Sequence, residues 1–432
     1  MTPQRLETRF RESIAVLPGS SAVTEARKTA MANFAATGFP TRRMENWRYT
    51  DLKRLAEANF DPVFPAVPES AATNTRPTLN WLESVPAVYF VDGLPCWNTS
   101  EWRSHPGIEL IRLADAWSAG TSIGTPEFEA APLAAINTAF ASDGLSIRVK
   151  AGQELGEPLH LIFSSSGRPG IAAQPRLRVD LAENAELTLI MSLIGKDETP
   201  TWSNLVSEVA LETGARLTIY RIQECGSSDT HTELLSARIA DGASLEACYI
   251  DLGGQLVRND VQVELSGEGA SCDLYGVFLA NDGQHVDNHL CVDHAAPRTT
   301  SQENFKGIIG DRGRGVFNGK VVVRRNSQNI DAKQSSDNLL LSDRAEIDTK
   351  PELEIYADDV KCTHGATVGQ IDESQLFYLR TRGLDDTVAR SLLTFSFGNE
   401  ILERLSISGL RKPVTRLLLD RLPGSLNWDE LL

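Results

Sequence analysis

The chain has 432 residues, 41% hydrophobic and 23% charged, with a formal net charge of −16, a size that implies several domains or one elongated repeat body with appendages. No apolar run reaches the roughly 18 residues of a membrane span, and the negative surplus, with no Lys/Arg block to offset it, repels phosphate backbones, so neither a membrane nor a nucleic acid is an expected partner. Cys96, Cys225, Cys248, Cys272, Cys291 and Cys362 are scattered without close pairing; since no uninterrupted apolar stretch follows Arg5, Arg9 and Arg11, they read as free thiols of a cytoplasmic protein.

In chain order, residues 3–38 carry apolar side chains at helical spacing (Leu6, Phe10, Ile14, then Ala26, Ala30, Phe34) and end at Gly38, which predicts two helices within an N-terminal helical region, 1–60. Pro62, Pro65, Pro68 and Pro77, among Ser, Thr and Asn, then mark a linker. A mixed α/β region continues to residue 144, with a short strand near 87–91, after Trp81, and a small-residue helix near 132–141.

From 145 to 368 the texture changes to short β-type runs between Gly, Asn and Asp turns. A punctuation recurs: Asn184-Ala-Glu-Leu187, Gly214-Ala-Arg-Leu217, Gly242-Ala-Ser-Leu245 and Gly269-Ala-Ser-Cys272, with starts 30, 28 and 27 residues apart by subtraction. A weaker echo stands at Arg344-Ala-Glu-Ile347. A near-constant period of this length means one unit stacked repeatedly. The stretches between, 176–181 and 261–265, alternate apolar and polar as half-buried strands do. The fold predicted is mainly β, a parallel β-helix core over 145–368 flanked by helical regions. In the C-terminal helical domain, 369–432, Asp372 caps a helix that stops at Gly383, and Asp385 and Asp386 open a second, expected to stop before Gly398. Leu392, Leu393, Phe395, Phe397 and Leu402 are part of an apolar surplus larger than one helix can hide, as in a small bundle or a partner-binding surface.

The chemistry-bearing motifs are few. Gly319-Lys320 lacks the remaining residues of a phosphate-binding P-loop, so no nucleotide is expected on this chain, and Gly310-Asp-Arg-Gly313 reads as a β-turn. His285, His289, Cys291, Asp293 and His294 form a group in which 289, 291 and 293 share one strand face. Histidine, thiolate and carboxylate would suit zinc, but the spacing fits no closed four-ligand site, and interior or rim packing is the simpler reading. Val360-Lys-Cys-Thr-His364 is sharper: Cys362 and His364 fall on one face, two borderline ligands that cannot close a metal shell unaided.

Several segments resemble the SufB/SufD family of iron–sulfur cluster assembly proteins. They are Lys361-Cys-Thr-His-Gly-Ala-Thr-Val-Gly369, Pro351-Glu-Leu-Glu-Ile-Tyr-Ala-Asp-Asp359, Leu376-Phe-Tyr-Leu-Arg380, Phe305-Lys-Gly307 and the N-terminal Glu45-Asn-Trp-Arg-Tyr-Thr-Asp-Leu52. Cys362-Thr-His-Gly-Ala366 and the lack of clustered N-terminal cysteines fit the SufD branch. The resemblance implies a right-handed parallel β-helix, pairing with a SufB-like paralogue, docking of a SufC-like ABC ATPase on the helical C-terminal domain, and a homodimer when the chain is alone. It also implies that Cys362 and His364 lie at the SufB–SufD interface, where a transient iron–sulfur cluster is shared, and that the subunit is not itself an enzyme. Two alternatives remain: a metalloenzyme using the His289 group, which would turn over alone, and a β-helical carbohydrate-active protein, for which no aromatics recur at coil period.

Overall fold

The computed structural model describes residues 2–64, 85, 87–96, 106–124, 131–195 and 200–422. Each punctuation residue is a corner. Asn184, Gly214, Gly242 and Gly269 have φ of 54°, 68°, 62° and 71°, the left-handed region in which Gly and Asn cost least. The Ala that follows is buried in every case, and the residue two further on enters the interior, so that Leu187, Leu217, Leu245 and Cys272 stack in register as one column. Each buried leucine contributes about 1.5–3 kcal/mol. The corner series continues where the sequence pattern fades, at Arg298 (φ 58°) and Asn329 (φ 60°). Arg344 does not belong to it: the strand it introduces, Glu346–Ile355, lies in the opposite sheet. Gly242 isolates the backbone contribution, because a Cβ there would meet nothing within 4 Å. Gly242→Ala is expected to lower stability by about 1–2 kcal/mol in denaturant unfolding and Gly242→Asn by much less; equal stability of Ala and Gly would mean the corner is not left-handed in solution.

Among the described residues the strands form one sheet of eleven and one of ten, and the long strands of each pair in parallel with the strand one coil away. This is a parallel β-helix with helices at both ends of the chain. Its two ends differ. At the N-terminal end the sheets finish in short antiparallel strands, Leu94–Cys96 on Ala87–Val91 and Ile108–Arg112 on Leu145–Val149. At the other end Glu346–Ile355 and Val360–Gly369 are each paired on one side only.

Helices Pro3–Ser13 and Ser21–Thr37 form as the spacing predicts, the second closed by Gly38. The strand at Ala87–Val91 and the helix Pro132–Phe140 also match. Pro62 sits in a two-residue strand, Asp61–Pro62, while Pro65, Pro68, Pro77 and Trp81 lie outside the described residues. Helix Glu373–Thr381 is capped by the Asp372 carboxylate, which accepts from Ser374 N at 2.8 Å, and the next helix by Asp385, which accepts from Val388 N at 2.9 Å. That helix does not stop before Gly398 but runs through it as Asp386–Leu402. The glycine is needed for close approach: a Cβ there would lie 3.1 Å from Leu418 and 3.2 Å from Ile308. With Ser408–Arg421 it covers the outer face of the ten-stranded sheet, where Ile401, Leu405 and Leu418 pack on Tyr220, Cys248 and Tyr275. No helix among the described residues is long and apolar enough to cross a membrane.

Candidate functional site

The unpaired end of the β-helix holds both residues of the Cys362–His364 motif. Strand Val360–Gly369 lies in register on Ile330–Leu340, placing Cys362 beside Ala332 and His364 beside Gln334. Ala332 and Gln334 face the coil interior and are buried, so Cys362 and His364 point along the same interior face at a coil on which no further described strand is paired. Cys362 is half-buried against Val321, Val323, Ile330 and Ala332, and burial, with Asp331 nearby, raises its thiol above the ordinary range. His364 is exposed. The two therefore share a face, as their i, i+2 spacing predicts, and coordination at this edge requires donors from elsewhere.

Next to them is a pair that sequence reading missed. The register row that ends in His364 runs back through Gln334 to Glu303. Glu303 is buried beside the interior residue Phe305 and accepts from Gln334 Nε2 at 2.6 Å. Its other oxygen, Oε1, and Gln334 Oε1 are buried without a hydrogen-bond partner. Burial pushes the Glu303 carboxyl up to about 7, against the hydrogen bond from Gln334. From the facing wall Gly319 makes room, since a Cβ there would sit 2.0 Å from Gln334 Nε2.

The histidine group is divided between the two sides of its strand, His285–His294. His294 faces the interior, bonded to Thr299 Oγ1 at 2.7 Å and Ser301 Oγ at 3.0 Å. His289, Cys291 and Asp293 do share the outer face, but each is engaged or neutralised. His289 Nε2 lies 3.2 Å from Asp287, Asp293 pairs with Arg324 at 2.6 Å, and burial pushes Cys291 up to about 11. His285 bonds Thr50 Oγ1 at 2.8 Å, in the N-terminal motif, whose Trp47 lies 4.2 Å under the Arg258 guanidinium. His285 and Arg258 thus anchor the N-terminal segment to the β-helix. Among the described residues no three His, Cys, Asp or Glu side chains are arranged to hold a metal ion.

The glycine motifs resolve as structure. Gly319 and Lys320 lie in mid-strand, Lys320 paired with Glu354 at 2.7 Å, and Gly313 N closes the predicted turn on Gly310 O at 2.8 Å. Of the apolar C-terminal residues, Leu402 is fully buried, Leu392, Phe395 and Phe397 are half-buried against the same cluster, and Leu393 is half-exposed outside it. The accessible apolar surface lies nearby in sequence. Five of the seven exposed large apolar side chains among the described residues, Ile355, Tyr356, Val368, Phe377 and Tyr378, fall on the last two strands, on the turn between them or on the helix that follows.

Comparison with known proteins places the sequence in a family. The family model for the SufBD core domain of SUF-system FeS cluster assembly covers residues 163–397, and the one for the SufBD protein N-terminal region covers 4–74. The chain is 31% identical over 395 residues to the iron–sulfur cluster assembly protein SufD of Escherichia coli, spanning 90% of each. It is 29% identical to an iron–sulfur cluster assembly SufBD family protein of Synechocystis over 90% of this chain and 89% of that one. A further such protein, of Mycobacterium tuberculosis, is 27% identical over 92% and 94%. A β-helix with an exposed Cys–His edge, a docked N-terminal motif and a helical C-terminal cover, matched over most of its length, belongs to the SufBD family of iron–sulfur cluster assembly proteins, as a SufD-type member.

Proposed function

We propose that this chain is a non-catalytic scaffold subunit, cytoplasmic, whose open β-helix end pairs with a SufB-like paralogue and there contributes His364 and Cys362 to a nascent iron–sulfur cluster shared by the two. The observation that carries this reading is the coincidence of three features at one end. The strands have unpaired edges, the apolar side chains around them are exposed, and a thiol and an imidazole share the interior face. Unpaired edges bind other strands, and a two-ligand pair becomes useful once a second chain adds donors. The same edge accommodates a second copy when the paralogue is absent.

A SufC-like ABC ATPase is the further partner, and ATP hydrolysis belongs to it, in keeping with a Gly319 buried in mid-strand. Its docking surface is the free side of the C-terminal helices, with Leu393, Phe377 and Tyr378 as the accessible apolar residues; Leu392, Phe395 and Phe397 back that surface from beneath.

The test uses the complex. Co-expressed with its paralogue and ATPase, the chain should co-purify with both and support an iron–sulfur chromophore that the chain alone does not. His364→Ala should lower chromophore yield several-fold while the subunits assemble as before, since removing a ligand leaves the packing intact. Parental yield from the His364→Ala complex would remove the ligand assignment.

A further inference from the structure

The row Glu303, Gln334, His364 spans three successive coils, with neighbours about 4.8 Å apart across each strand pair. At its inner end the Gln334 amide is tied down, its Nε2 donating to Glu303 Oε2 at 2.6 Å. The other half of that amide, Gln334 Oε1, is buried with no partner, an arrangement that costs about 1–3 kcal/mol unless something completes it. The next residue in the row is His364, which is exposed, no coil lying beyond it among the described residues. A chain that covered the end would remove water from the ring, as the coil already does from the amide oxygen. The two are register neighbours on adjacent strands, so each would then face the other's unmet hydrogen-bonding need.

We propose that Glu303 and Gln334 are positioning residues for His364: on docking of the partner subunit, Gln334 Oε1 accepts the N–H of one ring nitrogen and so presents the other toward the cluster. This rests on the reading of His364 as a ligand. A ligating histidine commonly donates its second ring N–H to a carbonyl or carboxylate, which fixes its tautomer and orientation. Here the acceptor is a side-chain carbonyl, and Glu303 fixes which end of the amide it offers. Gly319 belongs to the same device, because a Cβ on the facing wall would displace the amide.

The experiment uses the chain labelled with 15N-histidine, in complex with its unlabelled paralogue, with the ring signals of His364 assigned by comparison with His364→Gln. The parental complex should show one tautomer of His364, and the free chain a mixture. Gln334→Leu and Glu303→Leu should restore the mixture in the complex, while Glu303→Gln, which still accepts from Gln334, should keep the single tautomer. Gly319→Ala moves the amide without removing its groups and should act as Gln334→Leu does, which decides the matter should the leucine variants fail to assemble.

In reconstitution with iron(II) and sulfide, Gln334→Leu should weaken cluster retention by roughly tenfold or more. The double variant with His364→Ala should fall no further than His364→Ala alone. A tautomer mixture in the parental complex, or a Gln334→Leu complex that keeps one tautomer and parental retention, would overturn the proposal. If His364→Ala retains cluster as the parent does, it is the ligand reading that fails, and the spectra still report the pairing by themselves.

Discussion

Arg221→Ala is expected to cost about 3–5 kcal/mol of folding stability, because it leaves two carboxylates buried in the coil interior with no cation between them. The side chain is fully enclosed: Nε donates to Glu233 Oε2 at 2.6 Å, Nη2 to Asn259 Oδ1 at 2.9 Å and Nη1 to Asp251, and the Tyr249 ring lies 5.2 Å away. Burial alone would push Glu233 upward, and the Arg221 charge, together with His231 and the hydrogen bond from Arg221, reverses this and holds the carboxyl below its usual range. Without the guanidinium the two buried acids have no counter-charge, and the coil that encloses them is destabilised. Urea unfolding gives the loss directly, and a change under about 1 kcal/mol would place the cluster with exposed ion pairs. Adding Glu233→Gln and Asp251→Asn to Arg221→Met should recover much of the loss, since a buried ionic group replaced as a whole costs far less than one broken.

Glu303→Gln is expected to stabilise the protein by about 3 kcal/mol at pH 8 and hardly at all at pH 4.5. The carboxyl stands near 7 in the fold against an ordinary 4.5, driven up by burial. Between those values the folded chain keeps a proton that the unfolded chain has released, so stability falls as pH rises through the window. Above 7 the buried charge is fully expressed and the deficit is constant. Buried histidines tilt the other way: His160, His289 and His294 are pulled by burial to about 4, so their contribution is present above 6.5 and is lost as pH falls toward 4. They are common to parent and variant and cancel in the difference curve. Parallel stability profiles for the two proteins would mean that Glu303 ionises in the ordinary range.

The coil period was readable because each of those four corners pairs a left-handed residue with a buried alanine, as Gly-Ala or Asn-Ala. It faded after 269 because Arg298 and Asn329 hold the same conformation with Thr299 and Ile330 behind them. The i, i+2 parity of Cys362 and His364 was local and could be read at once. The Glu303–Gln334 pair could not, because its members are 31 residues apart, and their meeting depends on the length of an entire intervening coil. Interior parity was the available signal: Glu303 alternates with Phe305 on a strand whose inward positions are otherwise small or apolar. In the histidine group the same parity was legible: His289, Cys291 and Asp293 share a face, while His294, an odd step from them, leaves the strand on the opposite side.

The difference between the two ends of the β-helix limits how such bodies can add to one another. At the N-terminal end the sheets finish in strands of three and five residues running against the coil direction, one containing Pro95, which has no N–H to offer. Short, proline-bearing margins are poor templates for another chain. A body with one receptive margin and one blunted margin has a valency of one: joining consumes the only growing edge, and the product is a closed pair. The same coils with both margins receptive would polymerise head to tail into fibres.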